Sequence, residues 1–447
     1  MNLKELFALI DIEVPEKFAN LEFPSHLATD SRDVKPGSAF VALEGEKTDG
    51  HKFIPQAIEN GAALIIAKKG KGVDVNIPVI EVDDTERDLA LLASRKLKAH
   101  NLQEVIAITG SVGKTTTRAA LQFVLGKRFK IHAPERSFNT LIGCTATIMA
   151  MPLETEILIL EFGANKPGEI RELTEYFSPT MAVLSAVAPV HLEGFGSVEG
   201  VLQEKLEITR SPLMTSIVYN NDNEYLNEAF KYVVKSMGVG ESKDSDFVMA
   251  FDNSEYTLPS LSFVLAHRPT QEIARFTVNI WGKHNGMPLA LAASVGHELG
   301  ISLQDSADTL EEFQPLPGRG QIIILDDNKF LVDDAYNANP ASMRASLETF
   351  VQIKASGKIA VLGEMRELGK NAINYHEELM PLLDNIEHVI LVGDIWKAIK
   401  PSDTVDTWQE ALERLRTIMN SNNWSGILVK GSNSIGLSNI VKDLIKA

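Results

Sequence analysis

The sequence predicts an α/β protein of three domains: a central domain built on a parallel sheet, a small α/β domain before it and a Rossmann-like domain after it. Three observations carry that reading. Short apolar runs that end in polar turns recur along the chain, as buried parallel strands do, with helix-length segments between most of them. A Pro/Gly stretch, QPLPGRGQ at 314–321, interrupts the pattern as a linker does. At 447 residues the chain has the length of about three ordinary domains. The expected boundaries are 1–99, 100–316 and 317–447.

Composition bounds what such a protein can do. With 44% hydrophobic residues there is ample core, and no internal repeat or low-complexity tract is visible. A net charge of −17 argues against a general binder of nucleic acid or of membrane surfaces. Anionic ligands must then be met by local basic groups and helix ends. The single cysteine, Cys144, excludes a disulfide framework and a cysteine zinc site. No apolar run reaches the roughly 18 residues of a membrane span, and the start, MNLKELFALIDIEV, lacks a signal-peptide core. A soluble, cytoplasmic protein is expected.

Residues 1–99 offer two polar turns. Thr29, Asp30, Ser31 and Arg32 share one, and Asp49, Gly50 and His51 share the other. A strand over Ala39–Leu43 lies between them, and ALIIA at 63–67 reads as a second. Polar turns at strand ends serve as plain turns as readily as they serve ligands. An amphipathic helix over 84–100 leads into the central domain.

The central domain opens with EVIAITGSVGKTTTRAALQFVLG at 104–126. Val105–Ile108 read as a buried strand, Thr109, Gly110, Ser111 and Gly113 as a tight turn, and Lys114 as the start of a helix that Gly126 can end. This is a phosphate cradle. Successive backbone N–H groups point into the turn, the helix start adds partial positive charge, and Lys114 adds a full one. The Thr115 hydroxyl follows, where it can sit on the Mg²⁺ of a nucleoside triphosphate. The strict P-loop pattern wants glycine at the position of Ile108, so the form here is the shorter T-G-S-x-G-K-T. A P-loop domain that binds ATP is expected.

Further along, Ile157–Leu160 form a second buried strand, with Glu161 at its end. Ligands of open α/β sheets sit at such ends, so the carboxylate is placed for the metal. A third strand, in MAVLSAVAP, leads to His191 in the turn VHLEGFGS. Ser197 then caps a helix carrying Glu204, Lys205 and Glu207. On spacing alone Lys205 is a solvated surface lysine. VYNNDNEY at 218–225 is another strand end, residues 240–280 read as a β-rich insertion, and His284-Asn285 opens a small-residue helix. Beyond the linker and its Arg319, the runs in FLVDDAYNANP, KIAVLGEMREL, HVILVGD and GILVKGSNSIGL predict a second parallel, doubly wound sheet. It lacks a G-x-G-x-x-G fingerprint, so it is no dinucleotide site. Its strand ends offer Asp334, Tyr336, Asn337, Asn339, Glu364 and Lys430.

Taken in chain order, these motifs resemble the Mur ligases, ATP-dependent peptide-bond-forming enzymes of bacterial cell-wall synthesis. The resemblance spans essentially all of the chain and is most specific in TDSRDVKPGSAFVAL with DGHKFI, TGSVGKTTT, EFGANKPGEI, HLEGFGS, DDAYNANPASM, VLGEMRELG and VKGSNSIGL. DAYNANP with GANxPGEI points to the dipeptide-adding branch, and the D-N-P-R motif of the diamino-acid branch is absent. The resemblance implies substrates, UDP-N-acetylmuramoyl-tripeptide and D-alanyl-D-alanine, and a monomer. It implies that Asp30, Ser31, Arg32, Asp49, Gly50, His51, Ser137 and Asn139 hold the UDP-substrate. Gly110, Ser111, Val112, Gly113, Lys114, Thr115 and Thr116 would cradle the ATP phosphates. Asn285, Arg319 and Asp334 would contact adenine, phosphate and ribose. Thr115 and Glu161 would serve one Mg²⁺. His191 and Lys205 would serve a second, Lys205 after reacting with CO₂ to give a carbamate. Lys114, Lys205, His191 and Asn337 would be catalytic, and Tyr336, Asn337 and Asn339 would face the acceptor.

The chain departs from the family at three places. Thr140 stands where the S/N-x-N-N loop has its last asparagine, Pro288 where an asparagine is usual, and Asn433 where the dipeptide-adding branch has arginine. Three other readings share parts of the pattern. A small-molecule kinase has the P-loop but no need of two further acceptor-binding domains. A guanine-nucleotide switch wants Asn-Lys-x-Asp, and Asn165-Lys166-Pro167-Gly168 fails at the glycine. A folylpolyglutamate-synthetase-like ligase shares the chemistry, but the first 99 residues suit a UDP-sugar better.

Overall fold

Parallel strands buried on both faces must be apolar on both faces, and the central strands obey this rule. In Glu104–Thr109, Val105 and Ala107 face one core while Ile106 and Ile108 face the other. A computed structural model describes residues 2–45, 48–71, 74–251, 261–326, 328–420 and 423–446. Among them the strands form three sheets. The first, of Leu27–Ala28, Ala39–Val41, Leu64–Lys68 and Val79–Val82 in that order, is parallel throughout. Its chain starts with Leu3–Phe7, whose end is closed by a capping box between Asn2 and Glu5.

The central sheet has nine strands, with Glu104–Thr109 between Met181–Leu184 and Ile157–Glu161. Three functional segments therefore leave neighbouring strands at the same edge. The stretch expected to be a β-rich insertion extends this sheet instead of standing apart. Ser236–Gly240 and Phe247–Phe251 continue it, and Leu261–His267 and Glu272–Val278 finish it as antiparallel strands. Residues 252–260 of that stretch lie outside the described residues.

The third sheet has six strands. It was expected to be parallel, and four of its neighbouring pairs are, but Gln321–Asp326 runs antiparallel to Lys329–Asp334. The reason is length. Residues 327 and 328 alone separate the two runs, and a parallel crossover needs a dozen residues or so.

The cores do not respect the linker. Helix Arg87–Ala99 buries Leu89, Leu92 and Ala93 in the core that also takes Leu158 and Leu160 of the central sheet. Trp281, before the linker, is buried among Phe330, Met343 and Phe350 beyond it. Its Nε1 donates to Ser346 Oγ at 3.3 Å. Trp281→Ala is therefore expected to cost about 3–5 kcal/mol, read as a lower urea midpoint for the C-terminal sheet. An unchanged midpoint would remove Trp281 as the bolt between the two domains.

Candidate active site

Gly110 is the tightest point of the loop. Its φ is +148°, and a Cβ there would lie 2.1 Å from Ser185 Oγ, so only glycine fits. The loop is tied to the segment after the neighbouring strand by Ser111 N–H to Ala186 O at 2.8 Å and Ser111 Oγ–H to Ala188 O at 3.1 Å. Ser185 Oγ donates to Val112 O. Gly113, left-handed at φ +85°, turns the chain into helix Lys114–Leu125. Lys114 folds its amine onto Gly110 O at 2.6 Å. Burial lowers its pKa; Glu161 opposes that shift and Arg319 adds to it.

Thr115 Oγ1 is the hub of the next group. It donates to Glu161 Oε1 at 3.2 Å, lies 3.2 Å from Ser137 Oγ and accepts from Arg319 Nη2 at 3.4 Å. Glu161 is fully buried. Its second oxygen, Oε2, makes no hydrogen bond and lies 3.6 Å from Arg118 Nε. Arg118, one turn beyond Lys114, gives one amine to Pro134 O and leaves Nε and Nη2 without a hydrogen bond. A buried carboxylate with lone pairs to spare beside a hydroxyl fits a hard divalent cation such as Mg²⁺. Among the described residues no three His, Cys, Asp or Glu side chains gather to hold a metal alone. Phosphate oxygens would have to complete the shell.

The third strand delivers His191 in a left-handed conformation, φ +49°. Its Nδ1 lies 2.6 Å from Oε2 of Glu367, which the C-terminal domain supplies on a left-handed residue of its own, φ +64°. Burial lowers the His191 pKa, and Glu367 opposes the shift.

The surface reading of Lys205 is overturned. The residue is 2% exposed, and its ammonium has no hydrogen bond or ion pair among the described residues. Helix Val198–Leu206 turns both Glu204 and Lys205 inward, because its last turn abuts another helix start and a cavity. Burial, with Lys114 nearby, brings the Lys205 pKa down to about 7. A neutral amine is then available near neutrality, which fits reaction with CO₂.

Two cavities meet here. One of about 400 Å³ is lined by Lys114, His191, Lys205 and Glu172. The other, about 810 Å³, opens between the central and C-terminal domains and takes in Val112, Thr116, Ser137, Asn285 and Asn337. Lys114, Asn139 and His191 line both. Across the second cavity, Arg319 lies 4.0 Å from the Tyr336 ring centre. Asp334 pairs with buried Lys430 at 2.7 Å, and Lys430 also reaches Asn337 O at 3.3 Å. Asn337 is exposed there.

Several expected ligand contacts have structural partners. Asn339 caps helix Pro340–Gln352 by accepting from Ser342 N–H at 2.9 Å. Asn285 donates to Trp281 O at 2.6 Å. Thr140 accepts from Gly143 N–H as the cap of helix Leu141–Ala150, a task for which threonine is among the favoured residues, though asparagine caps somewhat better. Pro288 sits in the first turn of Gly286–Glu298, where a missing N–H costs nothing, and with Asn433 it lines the larger cavity.

The N-terminal group is not gathered with the rest. Asp30, Ser31, Arg32, Asp49, Gly50 and His51 line neither cavity. Asp30 is chelated by Arg32, which holds its carboxyl low, and buried Ser31 donates to Gln56 at 2.8 Å. Asp49 accepts from the His51 ring at 2.6 Å and from Lys71, and both depress its carboxyl. Gly50 presses on Leu43, with 2.7 Å to the carbonyl for any Cβ.

Sequence reasoning gave no role to Ser185, Arg118, Glu204 or Glu367. Arg118, at four residues from Lys114 on a helix, carried a usable signal; the others did not.

Comparison with known proteins agrees along the length of the chain. Residues 25–106 match the Mur ligase family catalytic domain, 108–296 the Mur ligase middle domain and 318–433 the Mur ligase glutamate ligase domain. The chain is 32% identical to the UDP-N-acetylmuramoyl-tripeptide–D-alanyl-D-alanine ligase of Bacillus subtilis, over 94% of this chain and 93% of that one. A crystal structure of MurF from Acinetobacter baumannii superposes with a TM-score of 0.85 at 28% identity, covering 100% and 99%. That of MurF ligase from Thermotoga maritima in complex with ADP gives 0.81 at 28% identity, covering 94% and 98%.

Two substitutions test the phosphate end. If Lys114 serves the transferring phosphoryl group, Lys114→Ala should lower turnover by about 10²-fold or more. Near-normal turnover would remove Lys114 from the reaction. Glu161→Gln should shift the Mg²⁺ titration to higher concentration, with high Mg²⁺ restoring part of the rate. A titration overlaying the parent's would show that Glu161 does not serve the metal.

Proposed function

The chain belongs to the Mur ligase family, and we propose that within it the chain joins D-alanyl-D-alanine to UDP-N-acetylmuramoyl-tripeptide, using ATP, in the making of peptidoglycan precursor. The observation that carries this reading is the meeting of the two cavities at Lys114 and His191. One admits a carboxylate arm toward the phosphate loop, and the other holds a nucleotide and an acceptor facing the same point.

The peptide's terminal carboxylate attacks the γ-phosphorus in line, and ADP leaves as an acyl phosphate forms. The unprotonated acceptor amine then attacks the acyl carbon, the C–N bond forms, and inorganic phosphate departs with the C–O bond pair and takes up the proton the nitrogen loses. Lys114 neutralises charge on the transferring group, and the loop N–H groups hold the β-phosphate. Arg319, fixed by Tyr336, faces the phosphates across the cleft. Thr115 and Glu161 would hold one Mg²⁺, and His191 and Lys205 a second, which together offset the repulsion between carboxylate and triphosphate. For this the neutral Lys205 amine attacks CO₂: the C–N bond forms, one C=O pair moves to oxygen, and the amine proton goes to solvent. The product is an oxygen ligand of the kind Mg²⁺ takes.

Asn337 and Tyr336 present uncharged donors and acceptors to the incoming dipeptide, which suits its amide and carboxylate. Asp30, Ser31, Arg32, Asp49, Gly50 and His51 would hold the UDP end in the N-terminal domain. Every group used comes from one chain, which supports a monomer, and no helix among the described residues is long and apolar enough to cross a membrane. The place of work is the cytoplasm.

Phosphate release is expected only with UDP-N-acetylmuramoyl-tripeptide, ATP and D-alanyl-D-alanine together. Turnover with a free diamino acid and the UDP-dipeptide, and none with D-alanyl-D-alanine, would move the chain to another branch. Lys205→Arg should be inactive although it keeps the charge, because a guanidinium cannot become an anionic ligand. An active arginine variant would end the carbamate reading.

A further inference from the structure

We infer that Glu204 is the positioning residue for Lys205: its carboxylate locks the last turn of helix Val198–Leu206 onto the start of helix Glu169–Phe177, and so aims an amine that has no partner of its own. The assignment rests on the carbamate reading of Lys205 given above.

Glu204 is 4% exposed, and both of its oxygens are used. Oε2 accepts from Gly168 N–H at 2.7 Å and Oε1 from Ile170 N–H at 2.6 Å. These are two of the free N–H groups at the start of helix Glu169–Phe177, which has no side-chain cap of its own because its N-cap is Gly168. A carboxylate there also meets the positive end of the helix dipole. Glu204 is thus a cap delivered from another helix. Its two bonds are charge-assisted and shielded from water, the strong kind, and they fix both the position and the rotation of the turn they come from.

Lys205 is the next residue in that turn. Its stem is buried, its amine has no hydrogen bond or ion pair among the described residues, and His191 and Lys114 share its cavity. A four-carbon side chain without a polar partner takes its direction from its backbone, and here the backbone takes its direction from Glu204. The same clamp holds the loop 163–168, which lines the cavity and packs against the turn after His191. A Cβ on Gly194 would come within 2.0 Å of Asn165 O. Glu204 therefore couples the Lys205 helix to the loop facing it. Glu207, one turn on, reaches helix Glu169–Phe177 differently, through Arg171 at 3.6 Å, and pairs within its own turn with Arg210 at 3.1 Å.

The test is ¹³C NMR of the full-length protein in ¹³C-bicarbonate, read at the carbamate carbonyl, beside steady-state kinetics. The wild type should show the signal. Glu204→Gln, which places an amide N–H against a backbone N–H, should lower carbamate occupancy and kcat by about tenfold, with the KM for ATP unchanged and raised bicarbonate restoring both. Glu204→Asp should lose less, and it carries the test if the glutamine variant does not fold. Glu207→Gln should keep the signal. Wild-type occupancy in both Glu204 variants overturns the assignment, as does an equal loss in Glu207→Gln, which would mean only that the helices had loosened. No signal in the wild type overturns the carbamate reading and the role of Glu204 with it.

Discussion

The contact between Gly110 and Ser185 is the constraint on which the site depends. With no room for a Cβ, the loop is pressed onto the end of the adjacent strand, and Ser185 and Ser111 bridge the two with hydrogen bonds. That junction sets where helix Lys114–Leu125 begins, and hence where Lys114 and Thr115 stand. It also sets the path of the chain from strand Met181–Leu184 to His191. The glycine loop and His191 are thus two ends of one corner, which on the proposed function would give a reaction needing in-line geometry a fixed frame.

Around that corner the protein brings together groups from both sides of the linker. Arg319 reaches Thr115, Glu367 reaches His191, and Trp281 anchors the C-terminal core to the central domain. Each of these crossing contacts involves a residue of the reacting region or a neighbour of one. Arg319 and Glu367 thereby line the larger cavity beside the phosphate loop.

Buried charge is the recurring cost of this design. Arg118, Glu161, Lys205 and Lys430 are all withdrawn from water, Lys114 is half-buried, and few of them are fully satisfied. Asp334 and Lys430 satisfy each other, whereas Glu161 Oε2 has no hydrogen bond and only the Arg118 ion pair beside it, and the Lys205 amine faces the cavity. Unpaired buried groups destabilise a fold. On the function proposed above, they stand where a triphosphate, a cation or CO₂ would supply the missing partner. Fully paired groups such as Asp49 with His51, or Asn339 with Ser342, keep their turns and caps in shape.

The phosphate loop, the two buried strands beside it and the three-domain plan were legible in the sequence, because each depends on residues adjacent in the chain. A strand, a glycine turn and a lysine at a helix start make the same cradle wherever they occur. The antiparallel run Gln321–Asp326 was not read, although too few residues separate it from Lys329–Asp334 for a parallel crossover. The position of Lys205 was not legible. Surface lysines have the same spacing, and only the packing of three distant segments shows that this helix turns a charged pair inward. The same holds for Glu204 as a cap on a helix more than thirty residues away, for Glu367 against His191, and for Asn339 as a cap. Local motifs fix chemistry that one segment can perform alone. Burial and partnership between segments far apart in the chain exist only once the chain has folded, and they decide which buried charges are left open for a ligand.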